Sequence, residues 1–82
     1  VDPHARILVC PHINRPGVIG KVGTILGLKD INISGMEVGK TDIEGTNLMV
    51  LTVDHDIPAD VLSEVKNVDG IRDAKLIDFE NV

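Results

Sequence analysis

Apolar positions fall in short clusters along the chain, and their spacing changes from one cluster to the next. Arg6-Ile7-Leu8-Val9-Cys10 is a run stopped by Pro11, which predicts a buried strand. Val18, Ile19, Val22, Ile25 and Leu26 recur at helical spacing, so a helix is predicted over Val18 to Leu28. Pro16 suits the first turn of that helix, where its missing N–H leaves no bond unmade. Gly17, Gly20, Gly23 and Gly27 are unfavourable by about 1 kcal/mol each in an exposed helix interior, and glycines so placed usually mark close approach by another backbone. Lys29-Asp30 closes the element.

Strand character then returns. Over Ile31 to Thr41, Ile31, Ile33 and Gly35 alternate with polar Asn32 and Ser34, while Gly35 and Gly39 suggest a bulge or a close contact. Asp42-Ile43-Glu44-Gly45 is turn material leading into Thr46 to Val53, which is apolar on both parities and predicts an interior strand. After the exposed link Asp54-His55-Asp56, Pro58 and Asp60 open a second helix with Val61, Leu62 and Val65 facing inward. Val68-Asp69-Gly70 ends it, and Ile71 to Phe79 is the last predicted strand. The order β-α-β-β-α-β predicts an α+β, ferredoxin-like sandwich: one four-stranded antiparallel sheet with both helices on a single face. Many unrelated activities use this fold, so the architecture alone assigns none.

Composition narrows the class. Eighty-two residues, 43% apolar and 26% charged, make one small globular domain with an aliphatic core, since there is one Phe and neither Tyr nor Trp. A domain this small buries only about 60% of its unfolded surface, so marginal stability alone, or help from oligomerisation, is expected. A net charge of −5 with scattered basic residues argues against a nucleic-acid surface, as does the lack of stacking aromatics. No apolar run approaches the roughly 20 residues of a membrane span, and no signal peptide is evident. The single Cys10 suits a reducing compartment, hence a cytoplasmic location. Val1 and Asp2-Pro3-His4 read as a linker remnant over 1–4, with the domain over 5–82.

Candidate chemistry concentrates in one loop. No Ser, Cys or Thr stands beside a sequence-local base, and no pair of carboxylates marks a catalytic motif. Arg15 and Asn32 could hold a phosphate, but the phosphate-cradling loop of small hydrolases with this fold is not evident. Cys10 and His12 share a strand face, yet a metal chaperone would show Cys-x-x-Cys here, so no metal or cofactor is expected in this domain. His4 and His55 read as surface residues. The loop His12-Ile13-Asn14-Arg15-Pro16-Gly17 supports two readings. In one, Asn14 caps the first helical turn and His12 is solvated. In the other, the helix N-terminus offers N–H groups to a carboxylate, while His12 and Asn14 take an ammonium or hydroxyl. The residues alone leave both open.

The stretch HINRPGVIGKVGTILGLKDINISGMEVGKT, followed by VKNVDGIRDAKLIDF, resembles an ACT domain, and within that family the serine-binding regulatory domains of D-3-phosphoglycerate dehydrogenases. The resemblance spans residues 5 to 79. Its most specific parts are His12-x-Asn14-Arg15-Pro16-Gly17 and Asp30-Ile31-Asn32-Ile33. It implies a homodimer paired through the first helix and second strand, with L-serine or a similar small amino acid bound between the chains. His12 and Asn14 of one chain, Asn32 of the other and backbone near Pro16, Gly17 and Val18 would then touch the ligand. It further implies a non-catalytic domain, NAD being expected only in an attached catalytic part. The alternatives are an ACT domain serving an L-serine dehydratase or another amino-acid enzyme, a dimerisation module without ligand, and an independent enzyme.

Overall fold

The structure, a computed structural model, describes residues 6–78; the expected linker at 1–4 and the end of the last strand at Phe79 lie outside them. Its first strand, β1 (Arg6–Ile13), pairs antiparallel along its whole length with β3 (Thr46–Val53). Leu8 lies opposite Leu51, Cys10 opposite Met49 and His12 opposite Asn47. Because side chains alternate faces along a strand, this register puts Leu8, Cys10, Met49, Leu51 and Val53 on one side of the sheet. There they meet Val22 and Leu26 of α1 (Val18–Leu28) and Val61 and Val65 of α2 (Ala59–Lys66) in one core. The strand β2 (Ile33–Lys40) flanks β3 and β4 (Lys75–Asp78) flanks β1, giving the order β2-β3-β1-β4 with every neighbour antiparallel. The helices therefore share one face, as the alternation of helical and strand periods predicts. Among the described residues no helix is long and apolar enough to cross a membrane.

The helix α1 and the strand β3 have their predicted bounds, but the first strand does not stop at Pro11. It continues through His12 to Ile13. The Pro11 carbonyl accepts from the Arg72 N–H at 2.9 Å, and in a strand a residue's nitrogen points to the same side as its oxygen. Pro11's missing N–H thus falls toward segment 70–72, where β4 no longer forms a ladder, and the pairing with β3 is untouched. The last strand is correspondingly shorter than expected. Ile71 makes only an isolated bridge to His12, and regular pairing begins at Lys75. In β2 the suggested bulge is real, a register shift between Ile33 and Gly35.

Two connections depend on left-handed backbone. After α1, Ile31 N–H bonds to Leu26 O at 3.0 Å and Asp30 N–H to Gly27 O at 3.1 Å, the paired bonds of a Schellman turn. Leu26 and Ile31 are both buried, supplying its usual apolar contact. Asp30 occupies the left-handed position at φ 57°, where glycine is the common choice, and places a carboxylate at the negative end of the helix. Gly70 lies at φ 102° between α2 and β4, and a Cβ there would stand 2.7 Å from Val18 Cγ2 and 3.2 Å from Ile13 Cγ1.

These two positions should respond oppositely to substitution. Asp30→Gly relieves the backbone and the helix-end repulsion and is expected to stabilise the domain by about 0.5–1 kcal/mol in urea unfolding. Gly70→Ala combines a left-handed alanine with a collision against buried Val18, and a loss of about 2–4 kcal/mol is expected by the same measurement.

Candidate functional site

The loop after β1 is held by three hydrogen bonds. Ile13 N–H donates to Gly70 O at 2.8 Å, Asn14 N–H to Gly45 O at 3.0 Å, and Arg15 Nη2 to Asp69 Oδ2 at 2.8 Å. Gly45 belongs to the β2–β3 turn, and Asp69 and Gly70 follow α2, so two remote turns fix the loop between them. The Arg15–Asp69 pair is solvent-exposed and contributes direction more than stability. Chain reversal into α1 is made by Gly17 at φ 90°, the residue preceding the helix. Pro16 sits ahead of it in the turn.

His12 is not a solvated loop residue. It continues the inward face of β1 beyond Leu8 and Cys10 and is only 2% exposed. Its Nδ1 lies 2.9 Å from Ile13 O and donates to it, which leaves Nε2 as an acceptor, and that atom is buried with no partner. A buried acceptor left unpaired is unfavourable by about 1–3 kcal/mol, so it calls for a reason beyond packing. Thr46 Oγ1, on β3, is a second buried polar atom without a partner.

Asn14 does not cap α1 either. Gly17 holds the cap position, no side chain bonds to the helix start, and the first turn carries no acidic residue. The N–H groups of the first helical turn therefore have no side-chain cap. The exposed Asn14 instead lines a cavity of about 220 Å³ with Lys40, Thr41, Glu44, Thr46 and Asn47.

Asn32 lies elsewhere. It follows the Schellman turn, is exposed, and lines a recess of about 290 Å³ with Gly27, Asp30 and Ile31. Its Nδ2 donates to Asp54 Oδ2 at 2.7 Å. Register fixes the separation: Ile33 pairs with Val53 and Val53 with Arg6, whereas His12 pairs with Asn47 and Asn47 with Lys40. Asn32 thus stands at one end of the sheet and His12 with Asn14 at the other, about 25 Å away at the rise of a strand. Within one chain the structure brings His12 and Asn14 to one loop and keeps Asn32 apart.

Cys10 offers no chemistry. Burial, assisted by the Asp73 carboxylate, pushes its thiol up to about 11, so it is neither nucleophile nor ready ligand at neutral pH. Among the described residues no group of three or more His, Cys, Asp or Glu side chains could hold a metal ion. A larger groove of about 700 Å³ runs along the outside of α1 past Gly17, Gly20, Thr24 and Ile25 to Val68 and Asp69. None of His12, Asn14 and Asn32 lines it, and its mainly apolar wall suits another protein surface better than a polar ligand.

Sequence reading missed Gly70 and Asp69 as supports of the loop and Asp54 as the partner of Asn32. A glycine ending a helix is too common a signal to reveal which loop it touches. Asp54 was open to inference from the hairpin, since it follows the last paired residue of β3 and faces the residue preceding β2.

Residues 6–70 match the family model described as ACT domain. The chain is 42% identical over 74 residues to the D-3-phosphoglycerate dehydrogenase of Synechocystis sp., covering 90% of this chain and 13% of that protein. To the D-3-phosphoglycerate dehydrogenase of Methanocaldococcus jannaschii it is 37% identical over 77 residues, covering 94% of this chain and 15% of that protein. It therefore spans only about a seventh of the length of these relatives. The fold is also that of the ACT domain from the GTP pyrophosphokinase of Chlorobium tepidum, with a TM-score of 0.67 at 13% identity over 90% of this chain and 97% of that one. This chain belongs to the ACT domain family.

Proposed function

We propose that this chain is a regulatory domain that binds L-serine, or a small amino acid like it, between two copies of itself. In this reading it reports the ligand to an attached D-3-phosphoglycerate dehydrogenase of serine biosynthesis in the cytoplasm. The domain has no catalytic role of its own, and NAD belongs to the catalytic part.

The observation that carries the reading is the division of the candidate residues between opposite ends of one sheet. The edge strand β2 is eight residues long, and antiparallel pairing with a second β2 about a two-fold axis reverses its direction. Asn32 of the partner subunit then comes to the Lys40 end, beside the loop that holds His12 and Asn14. Surface chemistry along this edge supports such pairing. Met36 and Val38 are 47% and 42% exposed, and Leu28 of α1 is 78% exposed. A Cβ at Gly20, Gly23 or Gly27 would meet nothing within 4 Å, so packing inside the chain does not require these glycines. A second backbone lying along α1 would.

The available groups complement an α-amino acid. Uncapped N–H groups at the start of α1 suit a carboxylate, and the acceptors on His12, Asn14 and Asn32 suit an ammonium and a hydroxyl. His12 must turn outward, or the loop open, for Nε2 to reach a ligand. That movement sacrifices one bond to the Ile13 carbonyl, which keeps the Arg15 N–H at 2.9 Å. Regulation requires the ligand to favour one arrangement of the attached catalytic parts over another. A coupling of about 1–3 kcal/mol would suffice.

Titration of the dimer, its state confirmed by sedimentation, with L-serine, D-serine, glycine and L-alanine tests this reading. Heat and NMR shifts at His12, Asn14 and Asn32 are expected with L-serine, and their absence would leave a dimerisation module without ligand. Asn14→Ala and Asn32→Ala should each weaken binding about tenfold or more while changing unfolding free energy by less than about 0.5 kcal/mol.

His12→Leu should separate function from stability. It removes a buried acceptor that has no partner, so ligand binding is expected to vanish while stability holds or rises in urea unfolding. A His12→Leu chain that fails to fold would instead make the imidazole a packing requirement.

A further inference from the structure

Asn32 and Asp54 are joined twice. Asp54 N–H donates to Asn32 O at 3.2 Å, and Asn32 Nδ2 donates to Asp54 Oδ2 at 2.7 Å. The backbone bond brings the two residues side by side past the ends of their strands, and the side-chain bond then fixes the amide. A carboxylate accepts and does not donate, so the nitrogen of Asn32 must face Asp54. Asp54 does not line the recess at Asn32, whose other walls are Gly27, Asp30 and Ile31. With its nitrogen committed to Asp54, the planar amide directs its oxygen away from that carboxylate.

We propose that Asp54 is a positioning residue that holds the Asn32 amide with Oδ1 outward, and so requires the ligand to present a hydrogen-bond donor there. Resting on the amino-acid reading of this site, the inference assigns the α-ammonium to the Asn32 end and the carboxylate to the α1 N-terminus. Two further features point the same way. Asp30 lines the same recess, and the recess lies at the C-terminal end of α1, where the helix presents carbonyl oxygens and negative potential. An ammonium gains from each of these groups, whereas a hydroxyl in its place supplies one donor and no charge. The ligand class follows: free α-amino acids are taken, and 2-hydroxy acids of the same shape are refused.

An amide free to flip would lose this selectivity, because its NH2 group serves an acceptor as readily as its oxygen serves a donor. Asp54 thus acts through Asn32 on discrimination as well as on affinity. Its own side chain is exposed at the end of β3 and takes no part in the core.

The test compares L-serine with L-glycerate, which replaces only the ammonium by a hydroxyl, in the wild-type chain, Asp54→Ala and Asp54→Asn. Wild type is expected to prefer L-serine by about a hundredfold. Asp54→Ala should weaken L-serine about tenfold and reduce the preference to a few-fold. Asp54→Asn, whose oxygen accepts the same bond, should remain within about threefold of wild type. Equal weakening of both ligands in Asp54→Ala, or none, overturns the proposal.

A readout without ligand keeps it separate from the function. The Asn32 Nδ2 proton bonded to Asp54 should lie downfield in wild type and should move back toward the position of a free asparagine amide in Asp54→Ala. Unmoved resonances mean that no lock exists, whatever the domain binds. If wild type takes neither ligand, the amino-acid reading fails and the selectivity assigned to Asp54 falls with it. The NMR comparison then still decides whether Asp54 holds the amide.

Discussion

The antiparallel ladder between β1 and β3 is the constraint on which the other features depend. Its register commits Leu8, Cys10, Met49 and Leu51 to the helix side, and a slip of one residue would turn all of them to the other face. The same ladder carries β1 past Pro11, so His12 inherits an inward direction from Leu8 and Cys10. At the other end of β3, the ladder with β2 sets Val53 beside Ile33 and hence Asp54 beside Asn32. Core-forming pairing therefore aims both halves of the candidate site, and His12 is the one residue of the β1–β3 ladder among the proposed ligand contacts.

Much of this was legible in the chain. The spacing of Val18, Val22 and Leu26 gave α1 its bounds, because a continuous apolar stripe at helical period has few ways to end. Apolar residues on both parities located β3 from Thr46 to Val53, as expected of an interior strand. What could not be read depended on partners distant in sequence. Pro11 looked like a stop because its missing N–H would break the ladder on one side of an interior strand, and only the shortness of β4 removes that conflict. Asn14 looked like a cap because its residue type suits one, yet the left-handed Gly17 already turns the chain into the helix.

The bulge in β2 illustrates the limit of pattern reading. Gly35 hinted at it, but its effect on the site lies in the register. Without the shift between Ile33 and Gly35, the pairing of Gly35 with Thr52 would continue to set Ile33 against Asp54. With it, Ile33 meets Val53, and Asp54 is released from the ladder to receive the side chain of Asn32. One extra residue in an edge strand converts an aspartate from a strand position into a clamp on a neighbouring amide.

Several features of the isolated chain lower its stability without any gain inside the chain. Gly20, Gly23 and Gly27 weaken α1 where nothing crowds them, Asp30 occupies a glycine conformation at the wrong end of a dipole, and His12 buries an acceptor with no donor. Each is unfavourable in the monomer, and each stands where the proposed assembly would supply what is missing. A second backbone can lie along the glycines, an ammonium can sit near Asp30 and Asn32, and a ligand donor can meet His12. If these deficits are met only in the liganded pair, ligand binding and assembly must favour each other to the same extent, since linkage is reciprocal. A domain already complete as a monomer would have little to gain from either. In the proposed function, this local instability is the physical means by which a small amino acid would change the arrangement of the attached catalytic parts.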